Sequence, residues 1–210
     1  MKLAVFDFDS TLMDGETIDF LAKELGFEKK VAAVTERAMA GELDFFDSLV
    51  ERVALLKGLD VGKVNKICQK LPLMPGAKEA VRELKAMGYR VVCFSGGFRN
   101  ATEPLGRKLG IGADFSNYLH EKDGILTGLV GGEMMFGDSK GKMLKRLQTL
   151  LGVSKENTVA IGDGANDISM FEHAARGIAF CAKDVLKEAA TDIVDEKDLR
   201  AVVEKLKGEG

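Results

Sequence analysis

The sequence predicts an α/β protein: a doubly wound parallel sheet with a small helical bundle inserted just after its first strand. Three observations predict it. Short apolar runs rich in Val, Ile and Phe recur at LAVFDFD (3–9), RVVCFSG (90–96), TVAIGDG (158–164), GIAFCA (177–182) and DIVD (192–195). Each is too short for a helix and reads as a buried strand. Helical periodicities separate most of them, the alternation that builds a parallel sheet. Residues 15–74 break this pattern, with helical stripes and no convincing strand.

Within the inserted stretch, Ile18, Leu21, Ala22 and Leu25 share one helical face, and Gly26 is placed to end that helix. Phe46, Leu49, Val50, Val53 and Leu56 form a second stripe, and Leu-Pro-Leu-Met-Pro-Gly (71–76) marks the return. This divides the chain into an α/β core of residues 1–14 and 75–210 and a helical cap of residues 15–74. In the core, Ala77, Ala80, Val81 and Leu84 predict a helix over 76–87. Met143, Leu144, Leu147, Leu150 and Leu151 predict another over 141–151. ILTGLVGGEMM (125–135), preceded by Asp123-Gly124, predicts a β-hairpin excursion. A helix is expected over 98–109, with Pro104 a candidate kink.

The 210 residues are 46% hydrophobic and carry a net charge of −3. That allows a packed core and excludes a global basic surface for nucleic acid. Asp7 and Asp9 interrupt the N-terminal apolar run, which argues against a secretory leader, and no stretch is long enough to cross a bilayer. Cys68, Cys93 and Cys181 match no zinc or C-x-x-C spacing and predict free thiols in a reducing, cytoplasmic setting. His120 and His173 lack ligand partners in sequence and read as structural or surface residues. Monomer and homodimer both remain open.

Ligands of open parallel sheets bind beyond the carboxyl ends of the strands. Three such ends carry chemistry: Asp7 and Asp9, Ser95-Gly96-Gly97, and Gly162-Asp163-Gly164. Residues two apart in a strand share a side, so Asp7 and Asp9 are expected to face together. Adjacent carboxylates raise each other's proton affinity, which lets one stay ionised while the other keeps a proton. In GDGAND (162–167), Asn166 and Asp167 follow Asp163 by one helical turn, so all three can face one point. An EF-hand fails at Ala165, and a dinucleotide fingerprint fails at Asp167. An oxygen-ligand site for a hard cation remains, and magnesium fits it best. SGGFRN (95–100) passes from strand to helix, where free N–H groups and glycines suit a phosphate. Lys140 or Lys142 in SKGK (139–142) suits a helix start best if an anion sits nearby.

These elements, in this order, resemble the haloacid dehalogenase superfamily of aspartate-nucleophile phosphatases. Asp7, Asp9 and Thr11 match its D-x-D-x-T pattern, Ser95 its Ser/Thr motif, Lys140 its lysine motif, and Asp163 and Asp167 its acidic motif. FDFDST, Glu16, SGGF and GDGANDISMF together resemble the branch that acts on phosphoserine, with a Rossmann-like core and a helical cap. The resemblance implies a magnesium-dependent phosphomonoester hydrolase of serine biosynthesis, with phosphoserine as its small-molecule substrate. Asp7 is then the nucleophile and Asp9 the general acid and base. Asp7, Asp163 and the main-chain carbonyl of Asp9 hold the metal, and Ser95, Gly96 and Lys140 hold the phosphate. Thr11 and Asp167 act as supports. The cap supplies Glu16 and Arg52 for the ammonium and carboxylate of the substrate, with Met39 and Phe45 as apolar walls and Asn166 completing the site.

The helical wheel bears on the cap residues independently. Phe45 and Arg52 are seven apart and share a face; Glu16 and Phe20 lie off the apolar stripe of their helix, which points Phe20 toward a second contact, the cleft. Another small-metabolite phosphatase, a phosphotransferase, or a non-enzymatic phospho-acceptor domain are the competing readings.

Overall fold

The computed structural model describes residues 1–208. Strand β1 (Lys2–Asp7) is followed by four helices, α1 (Thr17–Leu25), α2 (Glu28–Met39), α3 (Phe45–Ala54) and α4 (Val61–Cys68). The chain then alternates through α5 (Ala77–Ala86), β2 (Tyr89–Phe98), α6 (Arg99–Leu109), β3 (Ala113–Lys122), β4 (Ile125–Gly132) and α7 (Ser139–Leu151). It continues with β5 (Thr158–Gly162), the short α8 (Ile168–Phe171), β6 (Arg176–Phe180), the short α9 (Asp184–Lys187), β7 (Asp192–Val194) and α10 (Arg200–Lys207). The seven strands form one sheet in the order β4-β3-β2-β1-β5-β6-β7. All neighbours pair in parallel except β4, which runs antiparallel to β3 at the edge.

The central strands β1, β2, β5 and β6 are largely apolar because both faces of the sheet are covered there. In β1, Leu3 and Val5 enter one apolar layer while Ala4 and Phe6 enter the other. The β2 strand repeats this with Val92 and Phe94 against Val91 and Cys93. The layer holding Phe6 runs without a break into the helical insertion, through Ile18, Leu21, Leu49, Val53 and Val64. Gly26 ends α1 in the left-handed region at φ 80°, where a side chain would be strained.

Where the chain leaves for the insertion and where it returns, the two segments pair. Met13 bridges Leu73, Asp14 N–H donates to the Pro72 carbonyl at 3.0 Å, and Met74 N–H donates to the Leu12 carbonyl at 2.9 Å. A second tie lies at the far end. The loop after α3 bonds the β3–β4 hairpin through Gly58 N–H to the Leu126 carbonyl, Leu126 N–H to the Leu59 carbonyl, and Val61 N–H to the Gly124 carbonyl, each 2.9 Å.

Two sequence expectations change in detail. The hairpin exists, turning at Asp123 and Gly124 with φ of 53° and 77°, but its first strand β3 also pairs in parallel with β2. The apolar pattern missed β3 because its side chains are mostly half-buried or exposed. Strand β2 also extends to Phe98, so α6 begins at Arg99 and runs through Pro104. Among the described residues, no helix is long and apolar enough to cross a membrane, and the three cysteines are free.

Candidate active site

Strand β1 delivers Asp7 to the rim of the sheet, and a tight turn at Phe8–Leu12 follows at once. Phe8, Thr11 and Leu12 are buried and anchor this turn. Ser10 adopts a left-handed backbone at φ 58°, and its N–H donates to the Gly15 carbonyl at 2.8 Å. Asp9 therefore lies outside the strand. Asp7 and Asp9 reach the same cleft because the chain turns between them, not because of strand alternation. Thr11 Oγ1 is the one buried side-chain polar atom without a hydrogen-bond partner among the described residues.

The two carboxylates have different partners. Asp7 Oδ1 lies 2.6 Å from Lys140 Nζ, and that ammonium also lies 2.5 Å from Asp167 Oδ1. Lys140 is buried at the start of α7. Burial alone would drive off its proton, but the Asp167 and Asp7 carboxylates overrule this and hold its proton affinity above that of an ordinary lysine. Asp9 Oδ1 instead accepts hydrogen bonds from the backbone N–H and the hydroxyl of Thr17. Burial, with the nearby Glu16 and Asp7 carboxylates, still pushes the Asp9 carboxyl up to about 8.

The turn after β5 brings Asp163 beside them. Ligand oxygens of Asp7, Asp163 and Asp167 all lie within 4.8 Å of one another. Asp167 has its oxygens engaged: Oδ1 by Lys140, and Oδ2 by the N–H groups of Asp163 and Gly164 at 3.0 and 3.1 Å. Among the described residues no donor reaches the Asp163 carboxylate. Burial and the charges of Asp7 and Asp167 push it up to about 9, and Asp167 is pushed up to about 6. Three clustered acids with one ammonium among them leave negative charge uncompensated, and a divalent cation held by oxygen ligands fits that deficit. The free carboxylate of Asp163 and the second oxygen of Asp7 are the available donors; Asp167 is already committed to orienting its neighbours.

At the end of β2, Ser95 is fully buried, and its Oγ accepts from Gly97 N–H at 2.9 Å, which leaves its own O–H free to donate. Gly96 and Gly97 lie in a bulged strand end, and the helix expected from residue 98 begins one residue later, at Arg99. Their lack of side chains has a steric cause. A Cβ on Gly96 would come within 2.7 Å of Phe45 Cζ, and one on Gly97 within 2.5 Å of Asp9 Oδ2.

A cleft of ≈ 600 Å³ joins the carboxyl ends of the strands to the helical insertion. Asp7, Asp9, Gly96, Asp163 and Asn166 line its core side. Glu16, Met39, Phe45 and Arg52 line its helical side. Ser95, Lys140, Thr11 and Asp167 sit beneath this lining. Glu16 takes a hydrogen bond of 2.8 Å from the Ser10 hydroxyl, and burial raises its proton affinity. Arg52 Nε donates to the Ser48 carbonyl at 3.1 Å, which orients the guanidinium. Lys142, the other lysine of the SKGK stretch, is exposed and pairs with Asp138. Phe20 does not line the cleft; its ring covers Gly15 instead. Sequence reasoning missed Thr17 and Lys183, which also line the cleft. The hydroxyl residue at the start of a helix pattern was a signal for Thr17; nothing in the sequence marked Lys183.

Residues 1–175 match the haloacid dehalogenase-like hydrolase family. The chain belongs to that family. Within it, the chain is 59% identical over 203 residues to a phosphoserine phosphatase of Wolinella succinogenes, covering 97% of this chain and 98% of that protein. It is 47% identical over 206 residues to a phosphoserine phosphatase of Methanocaldococcus jannaschii, covering 98% of each. Among solved structures, a phospho-aspartyl intermediate analogue of phosphoserine phosphatase superposes with a TM-score of 0.91 at 47% identity, covering 97% of this chain and 98% of that one. A substrate-bound phosphoserine phosphatase complex gives a TM-score of 0.91 at 46% identity, covering 97% of each chain.

Proposed function

We propose that this hydrolase converts O-phospho-L-serine to L-serine and phosphate through an aspartyl-phosphate intermediate, in the cytoplasm, as a step of serine biosynthesis. One observation carries the reading. Two carboxyls face one cleft with opposite preparation: Asp7 is ion-paired with Lys140, whereas Asp9 is held by neutral donors at about 8, so it keeps a proton near neutral pH. A nucleophile beside a proton donor is the combination that displacement at phosphorus requires. The relatives named above support the choice of phosphoserine.

In this reading the substrate phosphate accepts hydrogen bonds from the Ser95 hydroxyl, the Gly96 N–H and Lys140, which offset the repulsion between two anions. The burial of Lys140 and the exposure of Lys142 favour Lys140 for this role. An Asp7 oxygen attacks phosphorus, the bond from phosphorus to the serine oxygen breaks, and Asp9 gives its proton to the departing oxygen. Asp9, now ionised, takes a proton from a water that attacks the aspartyl phosphate. The bond between phosphorus and Asp7 breaks, phosphate leaves, and both aspartates return to their starting forms. Asp7, Asp163 and the Asp9 main-chain carbonyl would hold Mg²⁺, which supplies charge neutralisation at the phosphoryl oxygens. Asp167 keeps Lys140 and the Asp163 turn in place, Thr11 supports the turn after β1, and Asn166 contributes from the rim.

Residues 15–74 act as the cap that selects the substrate, over a core of residues 1–14 and 75–210. Glu16 takes the ammonium, Arg52 the carboxylate, and Met39 and Phe45 form the apolar walls. Hydrolysis rates across a panel of phosphomonoesters with Mg²⁺ test the substrate: phosphoserine failing to lead the panel rejects it. The mechanism is tested by Asp7→Asn and Asp9→Asn. The first is expected to abolish the covalent phosphoenzyme, and the second to slow turnover by at least about a hundredfold. A wild type that accumulates phosphoenzyme without steady-state hydrolysis would favour a phospho-acceptor domain instead.

A further inference from the structure

Charge on the cleft wall is unbalanced. Five carboxylates line it, Asp7, Asp9, Glu16, Asp44 and Asp163, against two cations, Arg52 and Lys183. A phosphomonoester dianion entering such a cleft needs cationic partners along its path. Lys140 lies below the lining, engaged by two carboxylates. Arg52 belongs to the helical side, where its Nε is tied to Ser48. Among the described residues, Lys183 is the one cation that the core contributes to the lining.

Its position is fixed by the sheet. Strand β6 ends at Phe180 beside β5, and the Lys183 N–H donates to the Asp163 carbonyl at 2.9 Å. The backbone of Lys183 is thereby locked to the residue that heads the acidic cluster. Its side chain makes no ion pair among the described residues, whereas the next lysine, Lys187, is paired with Asp195. An exposed lysine that faces carboxylates without pairing with one is available to a ligand. Its charge reaches Glu16 across the cleft, where it lowers the proton affinity of that acid.

We infer that Lys183 is a phosphate-positioning residue, whose ammonium draws the substrate phosphate toward Asp7 and holds product phosphate at the core side of the cleft. The inference rests on the phosphomonoester reading above but not on serine as the alcohol. It assigns phosphate recognition to two lysines with different tasks. Lys140 is buried and shared with acids; Lys183 is exposed and free to follow the anion in and out.

The test is inhibition by inorganic phosphate, measured with Mg²⁺ during hydrolysis of whichever phosphomonoester leads the panel. Phosphoserine losing that panel would defeat the substrate reading while leaving this test intact. For Lys183→Met, KM and the phosphate inhibition constant are expected to rise together by about tenfold, with kcat within about twofold of wild type. Lys183→Arg should restore both, and added salt should narrow the gap between Lys183→Met and wild type. Because the side chain is exposed, an unchanged thermal midpoint is expected for both variants. A phosphate inhibition constant within about twofold of wild type in Lys183→Met overturns the inference. So does a loss that Lys183→Arg fails to restore, because charge would then not be its cause.

Discussion

Thr17 donates its backbone N–H, at 2.8 Å, and its hydroxyl, at 2.5 Å, to the same oxygen of Asp9. Thr17 is the first residue of α1, so the carboxyl proposed to move protons is gripped by the opening turn of the helical insertion. Free N–H groups at a helix start favour an anion. Any shift of α1 relative to β1 therefore changes how readily Asp9 holds its proton.

Thr17→Val keeps the N–H donor and removes the hydroxyl. Both Thr17 bonds lower the proton affinity of Asp9 against the stronger effect of burial, so the variant should hold its proton more tightly. The limb of the kcat–pH profile that needs ionised Asp9 is expected to move to higher pH. At neutral pH kcat should fall about tenfold, the value of one charge-assisted hydrogen bond. An unmoved profile would contradict this coupling.

Asp163→Asn should trade function for stability. The Asp163 carboxyl rises from an ordinary 3.8 to about 9 in the folded protein. Between those values the folded state binds a proton that the unfolded chain has released, so metal-free stability should fall as pH rises across that window. The variant lacks this penalty. In chelator its midpoint is expected to exceed wild type by ~5 °C near pH 8 and to match it near pH 4. Added Mg²⁺ should raise the wild-type midpoint and leave the variant unmoved.

Gly96→Ala and Gly97→Ala should fail for different reasons. The first places a methyl against the Phe45 ring, the second against the Asp9 carboxylate. Phe45→Leu is therefore expected to recover much of the kcat/KM lost in Gly96→Ala and none of that lost in Gly97→Ala. Equal rescue of both would refute the contacts.

Arg176 grips Asp192 with two nitrogens, at 3.0 and 2.6 Å, and holds its carboxyl below the usual range. Stability from a depressed carboxylate is present above its unfolded pKa and lost as pH falls through the folded one. Asp192→Asn should cost about 1–2 kcal/mol at pH 7, or ~3–6 °C in thermal midpoint. The gap should close on acidification below the ordinary carboxylate range.

The sheet was legible because both its faces are covered: each buried strand left a continuous apolar run. Strand β3 escaped because it buries few of its side chains, and a half-polar strand leaves no such run. Asp7, Asp163 and Ser95 could be placed at one rim from strand ends alone. Asp9 could be placed in the cleft, but for the wrong reason, since β1 ends at Asp7 and the chain enters the Phe8–Leu12 turn before a strand period reaches Asp9. Glu16 and Arg52 meet the cleft through the packing of α1 and α3, for which helical spacing gave only a face. Lys183 was invisible: a lone lysine after a strand looks like any solvated charge until the neighbouring strand ties its backbone to Asp163.

The helical insertion is fastened where Met13 bridges Leu73, where Gly58, Leu59 and Val61 bond the β3–β4 hairpin, and again where Asn100 donates to Asn65 and Lys108 to the Gln69 carbonyl. One apolar layer also runs from Phe6 of β1 to Ile18, Leu49 and Val64 of the insertion. The wall that lines the helical side of the cleft and the strand that carries Asp7 therefore share a foundation. A cavity cut beneath α1 is felt at the rim of the sheet as well as in the insertion.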